Sequence, residues 1–240
     1  MHILIINPNT SEQVTQAFVV EARRVAPEAV HISGVTGAFG ARIVTTEAEN
    51  LVAAHAALEL AAEHYADFDG VILAISFDTG LRALSELLPV PVVGITEAAL
   101  AKAGLGQVGA VIFGASSLPL YQRLLAGYGR KPVAWEVIDF SSPAEYLNSA
   151  ARDDVVLSAI GRLADAGATS AVILGAAIVG MADRLAPRAA IPVSDGAAAV
   201  DLCCARIAEC APLPPRPVPI AECFGLSPAL AALISDGPKR

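Results

Sequence analysis

The sequence is short of basic residues and collects them nowhere: 16 Lys and Arg stand against 24 Asp and Glu, for a formal net charge of −8. Nucleic acid is gripped through its phosphates by clustered Lys and Arg, so a nucleic-acid partner is not expected. An anionic small molecule would have to be held by local backbone dipoles instead. Long apolar runs are missing too. The longest uncharged stretch, 103–122, is broken by Gly104, Gly106, Gly109, Gly114 and Pro119 and carries Ser116 and Ser117. That pattern reads as loop, strand and turn and excludes a membrane span. The apolar run Ile3 to Ile6 ends at Asn7 and Pro8, too soon for a signal peptide, so the cytoplasm is the expected location.

Cysteine is absent until position 203, and the four that follow, Cys203, Cys204, Cys210 and Cys223, lack the spacing of a zinc site with accompanying histidines. His55 and His64 share a helical stretch, but nine residues put them on opposite faces; His2 and His31 lie in or beside strands with no ligand spacing around them. No metal is expected. Cys203 and Cys210 are seven apart, on one face of a helix, which suits inert core packing. A nucleophilic or redox role would require one of these thiols to reach the ligand.

What is present is an apolar, alanine-rich composition with 17% charged residues, which excludes a disordered chain or a coiled coil. His2 to Ile6 reads as a strand, followed by a polar turn and a helix over Glu12 to Arg24. The Ala-rich segment Glu47 to Ala66 reads as helix, Val71 to Ile75 as a buried strand, Arg82 to Leu88 as helix and Val90 to Val93 as a short strand. Alternating strands and helices of this length imply a parallel sheet with crossover helices.

An internal repeat extends this. VILAISFDTGLRALSELLPVPVVGITEAALAKA, residues 71–103, and VILGAAIVGMADRLAPRAAIPVSDGAAAVDLCC, residues 172–204, share the order strand, Gly-containing turn, short helix, Pro-Val strand and Ala-rich helix. HILIINPNTS at the start is echoed by GAVIFGASSL from Gly109. The expected architecture is α/β: two pseudo-symmetric Rossmann-like lobes with mainly parallel sheets and a cleft between them, residues 1–97 plus 206–240 forming one lobe and 98–205 the other. FGLSPALAAL near the end reads as a helix that braces the first lobe.

Candidate chemistry falls where strands give way to helices. Asn9, Thr10 and Ser11 follow the first strand, where they can cap a helix or, with its free N–H groups, receive a carboxylate. Ser116 and Ser117 form the matching polar turn of the second copy. Ser76, Asp78 and Thr79 follow the strand ending at Ile75; Thr79 is expected to line the ligand site, while Ser76 and Asp78 can cap the next helix or serve as nucleophile or proton carrier, although no histidine stands beside them. Ala176 and Ala177 occupy the corresponding turn of the second copy. Glu97 and Asp195, after the two Pro-Val strands, suit helix starts or a substrate amide.

Taken together, INPNTS, DGVILAISFDTGL, PVVGITEAA, VILGAAIVGMADRL, IPVSDGAAA and FGLSPALAAL resemble the Asp/Glu/hydantoin racemase family, hydantoin and allantoin racemases in particular, over nearly the whole chain. The resemblance implies a cofactor-independent isomerase acting on a small carboxylate or hydantoin-type cyclic amide, with further copies of the same chain as its macromolecular partner. Family members set two cysteines, one per lobe, as opposed acid and base. The motifs place these positions on Ile75 and Ala176, which also match each other in the repeat, and neither side chain transfers a proton. A register shift of one brings Ser76 to the first position and supplies no thiol to the second. The resemblance therefore implies the fold and the ligand-binding turns with a non-thiol mechanism. A lyase or hydrolase using Ser76, Asp78 or a held water, and a binding protein without turnover, are the alternatives. An aspartate, with an ordinary pKa of about 3.9, needs partial burial to serve as a base near pH 7.

Overall fold

The computed structural model describes residues 1–139, 149–209 and 224–237. The chain divides into two compact units, Met1–Gly94 with Ala199–Arg240 and Ile95–Ala198. The first unit is built on strands β1 (His2–Asn7), β2 (His31–Thr36), β3 (Gly70–Leu73) and β4 (Val92–Gly94), hydrogen-bonded in the order β2-β1-β3-β4 and all parallel. The second repeats this with β5 (Val108–Phe113), β6 (Trp135–Ile138), β7 (Ser170–Ile173) and β8 (Val193–Ser194) in the order β6-β5-β7-β8. The sequence repeat is thus a repeat of one parallel four-stranded sheet.

Consecutive burial explains why these segments become central strands. Ile3, Leu4, Ile5 and Ile6 have no exposed surface, and neither do Val71, Ile72 and Leu73. A strand apolar at successive positions needs cover on both faces, which parallel sheets obtain from their crossover helices. Each such side chain contributes roughly 1.5–3 kcal/mol on leaving water. The covering helices are α1 (Glu12–Val25), α2 (Glu47–His64) and α3 (Leu81–Leu87) in the first unit. In the second unit they are α4 (Ile95–Ala103), α5 (Leu118–Gly127), α6 (Ser149–Asp165) and α7 (Met181–Leu185). The first-unit helices α8 (Ala198–Ala208) and α9 (Pro228–Asp236) follow. Helix α2 starts on a reciprocal cap: Thr46 Oγ1 accepts from Glu49 N at 3.3 Å, and the Glu49 carboxylate accepts from Thr46 N at 2.9 Å.

The division falls at Gly94 and Ala198 rather than at 97 and 205, and packing gives the reason. Helix α4 follows β4 in sequence but lies on β7 and β8: Ser170 Oγ donates to Ala103 O at 3.2 Å, and Ser194 Oγ donates to Ala99 O at 2.8 Å. Helix α8 follows β8 but lies on β3. A Cβ on Gly70 would stand 2.7 Å from Cys203 Sγ and 2.9 Å from the Ile207 Cδ1 methyl, so glycine at the start of β3 is what lets α8 approach so closely. Arg206 closes this contact by donating to Val92 O at 3.0 Å. Helix α9 packs on α2, where Ser227 N donates to the Glu59 carboxylate at 3.4 Å. The Pro-rich segment before α9, with Cys210 and Cys223, lies outside the described residues.

Among the described residues no helix is long and apolar enough to cross a membrane, and no cluster of three His, Cys, Asp or Glu side chains is placed to hold a metal ion.

Candidate functional site

The turn after β1 is organised by Asn7. Its fully buried amide nitrogen lies within hydrogen-bond distance of Asn9 Oδ1 (2.9 Å), Ser11 O (3.1 Å) and Thr15 Oγ1 (3.0 Å). Asn9 Oδ1 in turn accepts from Ser11 N at 2.9 Å. Ser11 stands at the N-cap of α1, but its hydroxyl makes no capping bond, contrary to the capping expectation; Ser11 instead contributes its backbone oxygen, which accepts from Val14 N at 3.1 Å. Thr15 Oγ1 and Thr36 Oγ1, 2.6 Å apart, tie the helix to β2. The loop after β2 is sewn to the same turn, Gly37 N donating to Asn7 O and Thr10 N donating to Ala41 O. Sequence reasoning treated Asn7 as part of the turn without seeing that it is the turn's internal ligand. A buried Asn two residues before a second Asn is the signal that could have shown it.

The turn after β3 gathers Ile75, Ser76, Phe77, Asp78 and Thr79, all buried. Among the described residues Asp78 is the one non-glycine residue with positive φ, at 47°. Its carboxylate lies against the end of β4: a Cβ on Gly94 would stand 2.3 Å from Asp78 Cγ and 2.5 and 2.7 Å from the two carboxylate oxygens. Thr79 Oγ1 donates to Asn50 Oδ1 of α2. The N-cap position of α3 is Gly80, at φ 81°, which has no side chain to cap the helix. Asp78 contributes its backbone carbonyl, accepting from Leu81 N at 3.1 Å. Gly94 was not singled out in the sequence, although a glycine at a strand end facing a turn carboxylate is a recognisable pairing.

The second unit shows the same frame with different side chains. Ala74 N donates to Ile6 O in one and Leu174 N to Val111 O in the other; Gly80 and Gly180, at φ 81° and 83°, head the two following helices. In this register Ser76 answers to Ala176 and Ile75 to Gly175, so the sequence pairing of Ile75 with Ala176 is off by one. Buried parallel strands lack the in-out alternation that fixes register, and a matching Val-Ile-Leu run slides along them freely. A second register follows from Val71 N donating to Pro91 O and Ala171 N to Pro192 O. It sets Asp195 opposite Gly94, not opposite Glu97, which lies in the first turn of α4.

In the turn after β5, Ser117 is buried and Ser116 exposed, and neither hydroxyl is found capping α5. Ala115 N donates to Asp139 Oδ1 at 3.1 Å. Ala176 is half-buried and Ala177 exposed. Of the two described cysteines, Cys203 has no exposed surface, and burial pushes its thiol up to about 12. Cys204 is half-buried, its thiol also raised, first by burial and then by the charge of Asp201. Both sit on α8, Cys203 against Gly70, and neither is poised as a thiolate.

The family model described as Asp/Glu/Hydantoin racemase matches residues 3–202. A hydantoin racemase from Paenarthrobacter aurescens is 28% identical over 218 residues, 87% of this chain and 90% of its own length. Two solved structures are similar across almost the whole chain. The allantoin racemase from Klebsiella pneumoniae has 26% identity and a TM-score of 0.84, covering 97% of this chain and 98% of that one. The allantoin racemase from Pseudomonas fluorescens has 27% identity and a TM-score of 0.82, covering 92% and 100%.

Proposed function

Because the chain belongs to the Asp/Glu/hydantoin racemase family, we propose that it is a cofactor-independent isomerase that moves the proton on an activated carbon of a small carboxylate or hydantoin-type cyclic amide without using thiols. The observation that carries the non-thiol mechanism is Asp78, 6% exposed and held at φ 47° in the turn after β3. Open parallel sheets bind ligands beyond the carboxyl ends of their strands, and a non-glycine residue held in a sparsely populated conformation marks a place where function outweighs local strain.

A hydantoin carbon flanked by a carbonyl and a ring nitrogen would lose its proton to Asp78 to give a planar enolate; a proton delivered by water to the opposite face completes inversion, and Asp78 then releases the abstracted proton to solvent. Asp78 is the proposed proton carrier, and Ser76 its hydroxyl partner at the same turn. Asn9, Thr10 and Ser11, at the start of the 14-residue helix α1, are proposed to receive the carbonyl or carboxylate oxygens with the backbone amides there. Asn9 would do so through Nδ2, since its Oδ1 holds the turn. Ile75 and Thr79 are the proposed walls beside Asp78. In the second unit Ser116, Ser117, Ala176 and Ala177 are the proposed contact residues. The relatives named hydantoin and allantoin racemases support cyclic amides as the substrate class.

The test is incorporation of solvent deuterium at the carbon bearing the acidic proton when single enantiomers of hydantoins, allantoin and amino acids are incubated with the protein. Exchange accompanied by loss of optical activity supports an isomerase. Product formation with cleavage of a bond would point to a lyase or hydrolase. The second unit carries the apolar Ala176 where the first has Ser76, which favours one further reading, a binding protein, and a thermal shift with these compounds in the absence of any exchange would select it.

A further inference from the structure

The turn Ala176, Ala177, Ile178, Val179 contains no polar side chain, so it cannot hold its own shape by side-chain hydrogen bonds as Asn, Asp, Ser and Thr turns do. A carboxylate from elsewhere anchors the helix that follows the turn. Asp195, 2% exposed at the end of β8, accepts from Ala182 N through Oδ2 at 2.8 Å and from Ala197 N through Oδ1 at 2.9 Å. One side chain thus bridges the first turn of α7 to the residues leading into α8. In the first unit the arrangement is reversed: the turn brings its own carboxylate, Asp78, and the strand end equivalent to Asp195 is Gly94, whose missing Cβ leaves room for it. In the first unit a buried carboxylate lies between the turn after the third strand and the end of the fourth; in the second it links the end of the fourth strand to the first turn of the helix that follows that turn.

We propose that Asp195 is a positioning residue that sets the Ala176–Gly180 turn, and through it the affinity of the ligand contacts assigned above to Ala176 and Ala177. This rests on the proposed function for its ligand, but not for its geometry. Asp195 carries no proton for the reaction in this account. It acts on the turn through the amide of Ala182, the second residue of α7, whose N–H has no intrahelical acceptor and would otherwise be unsatisfied in a buried place.

The experiment compares Asp195→Ala and Asp195→Asn with the unmodified full chain. Amide hydrogen exchange at Ala182 and Ala197, in protein without ligand, should accelerate at least tenfold in Asp195→Ala. In Asp195→Asn, which keeps one acceptor oxygen, one of the two amides should stay protected. Steady-state deuterium exchange into allantoin and 5-substituted hydantoins should show KM raised about tenfold or more, with kcat changed less than threefold. Unchanged protection of Ala182 in Asp195→Ala overturns the proposal, as does faster amide exchange with KM unaltered, or a loss confined to kcat. If Asp195→Ala does not fold, the one-amide pattern of Asp195→Asn decides. If the unmodified chain turns over neither probe, the proposed function fails, while the amide exchange still decides whether Asp195 anchors the start of α7.

Discussion

The carboxyl carbon of Asp78 lies where a side chain on Gly94 would have to begin, 2.3 Å from the position of a Cβ. The two residues are sixteen apart in sequence, on the turn after β3 and at the end of β4, and a side chain cannot be added at Gly94 without moving Asp78. Gly94→Ala is therefore expected to displace the Asp78 carboxylate and cost about 1–3 kcal/mol, the range for overpacking a filled interior. Combined with Asp78→Ala, which clears the space, the same change should cost less than the sum of the two single effects by at least about 0.5 kcal/mol. Urea denaturation of the four members of this cycle measures the coupling. Additive effects would mean that the carboxylate is not seated on Gly94.

Cys203 should be silent toward thiol reagents. It is fully buried against Gly70, and burial raises its thiol to about 12. Iodoacetamide at neutral pH should leave Cys203 unlabelled in the folded protein, as mass spectrometry of the tryptic peptide would show, and label it after unfolding. The same shift predicts the direction of an alkaline effect. A thiol whose folded pKa is raised contributes its full stability below about 9 and loses it as pH rises toward about 12, because the unfolded chain releases the proton first. Melting temperature should fall over that window, less steeply in Cys203→Ala.

Helix α7 is held to α6 by a two-point ion pair: Arg184 Nε donates to Asp153 Oδ2 at 2.7 Å, and an Arg184 terminal nitrogen donates to Oδ1 at 2.9 Å. The hydrogen bonds from Arg184 hold the Asp153 carboxyl below the usual carboxylate range, against the effect of its burial. A lowered folded pKa means that this contribution is present above the ordinary aspartate value, near 4, and is lost as pH falls through the folded value. Since the arginine is 46% exposed, the pair is worth only about 1 kcal/mol. Asp153→Asn should lower stability at pH 7 by about that amount and leave it unchanged at pH 2, measured by chemical denaturation at the two pH values.

The strands and helices of the first unit were legible because buried apolar runs and helical periodicity act locally: β1, α1, α2 and α3 fall within a few residues of where periodicity puts them. The repeat made two sheets legible as well. What the sequence could not carry was register. Val71 aligns by letters with Val172 but by hydrogen bonds with Ala171, and that one-residue difference decides whether Ile75 or Ser76 stands opposite Ala176. Edge strand β6, Trp135–Ile138, is only partly buried over most of its length and gave no clear apolar run. The roles of Gly94 and Asn7 were hidden for a related reason. Each works through a contact made by folding, a carboxylate laid over a bare Cα in one case and three acceptors drawn to one amide in the other.

The role of Asp78 as proton carrier is tested most directly by the exchange rate of Asp78→Asn. Asparagine keeps the shape that fits over Gly94 but cannot take up a proton. Deuterium incorporation into a hydantoin or allantoin enantiomer should fall by roughly 10²–10⁴-fold relative to the unmodified chain, with the thermal midpoint nearly unchanged. An Asp78→Asn protein that exchanges the substrate proton at the original rate would contradict the account and send the search for the base elsewhere in the chain.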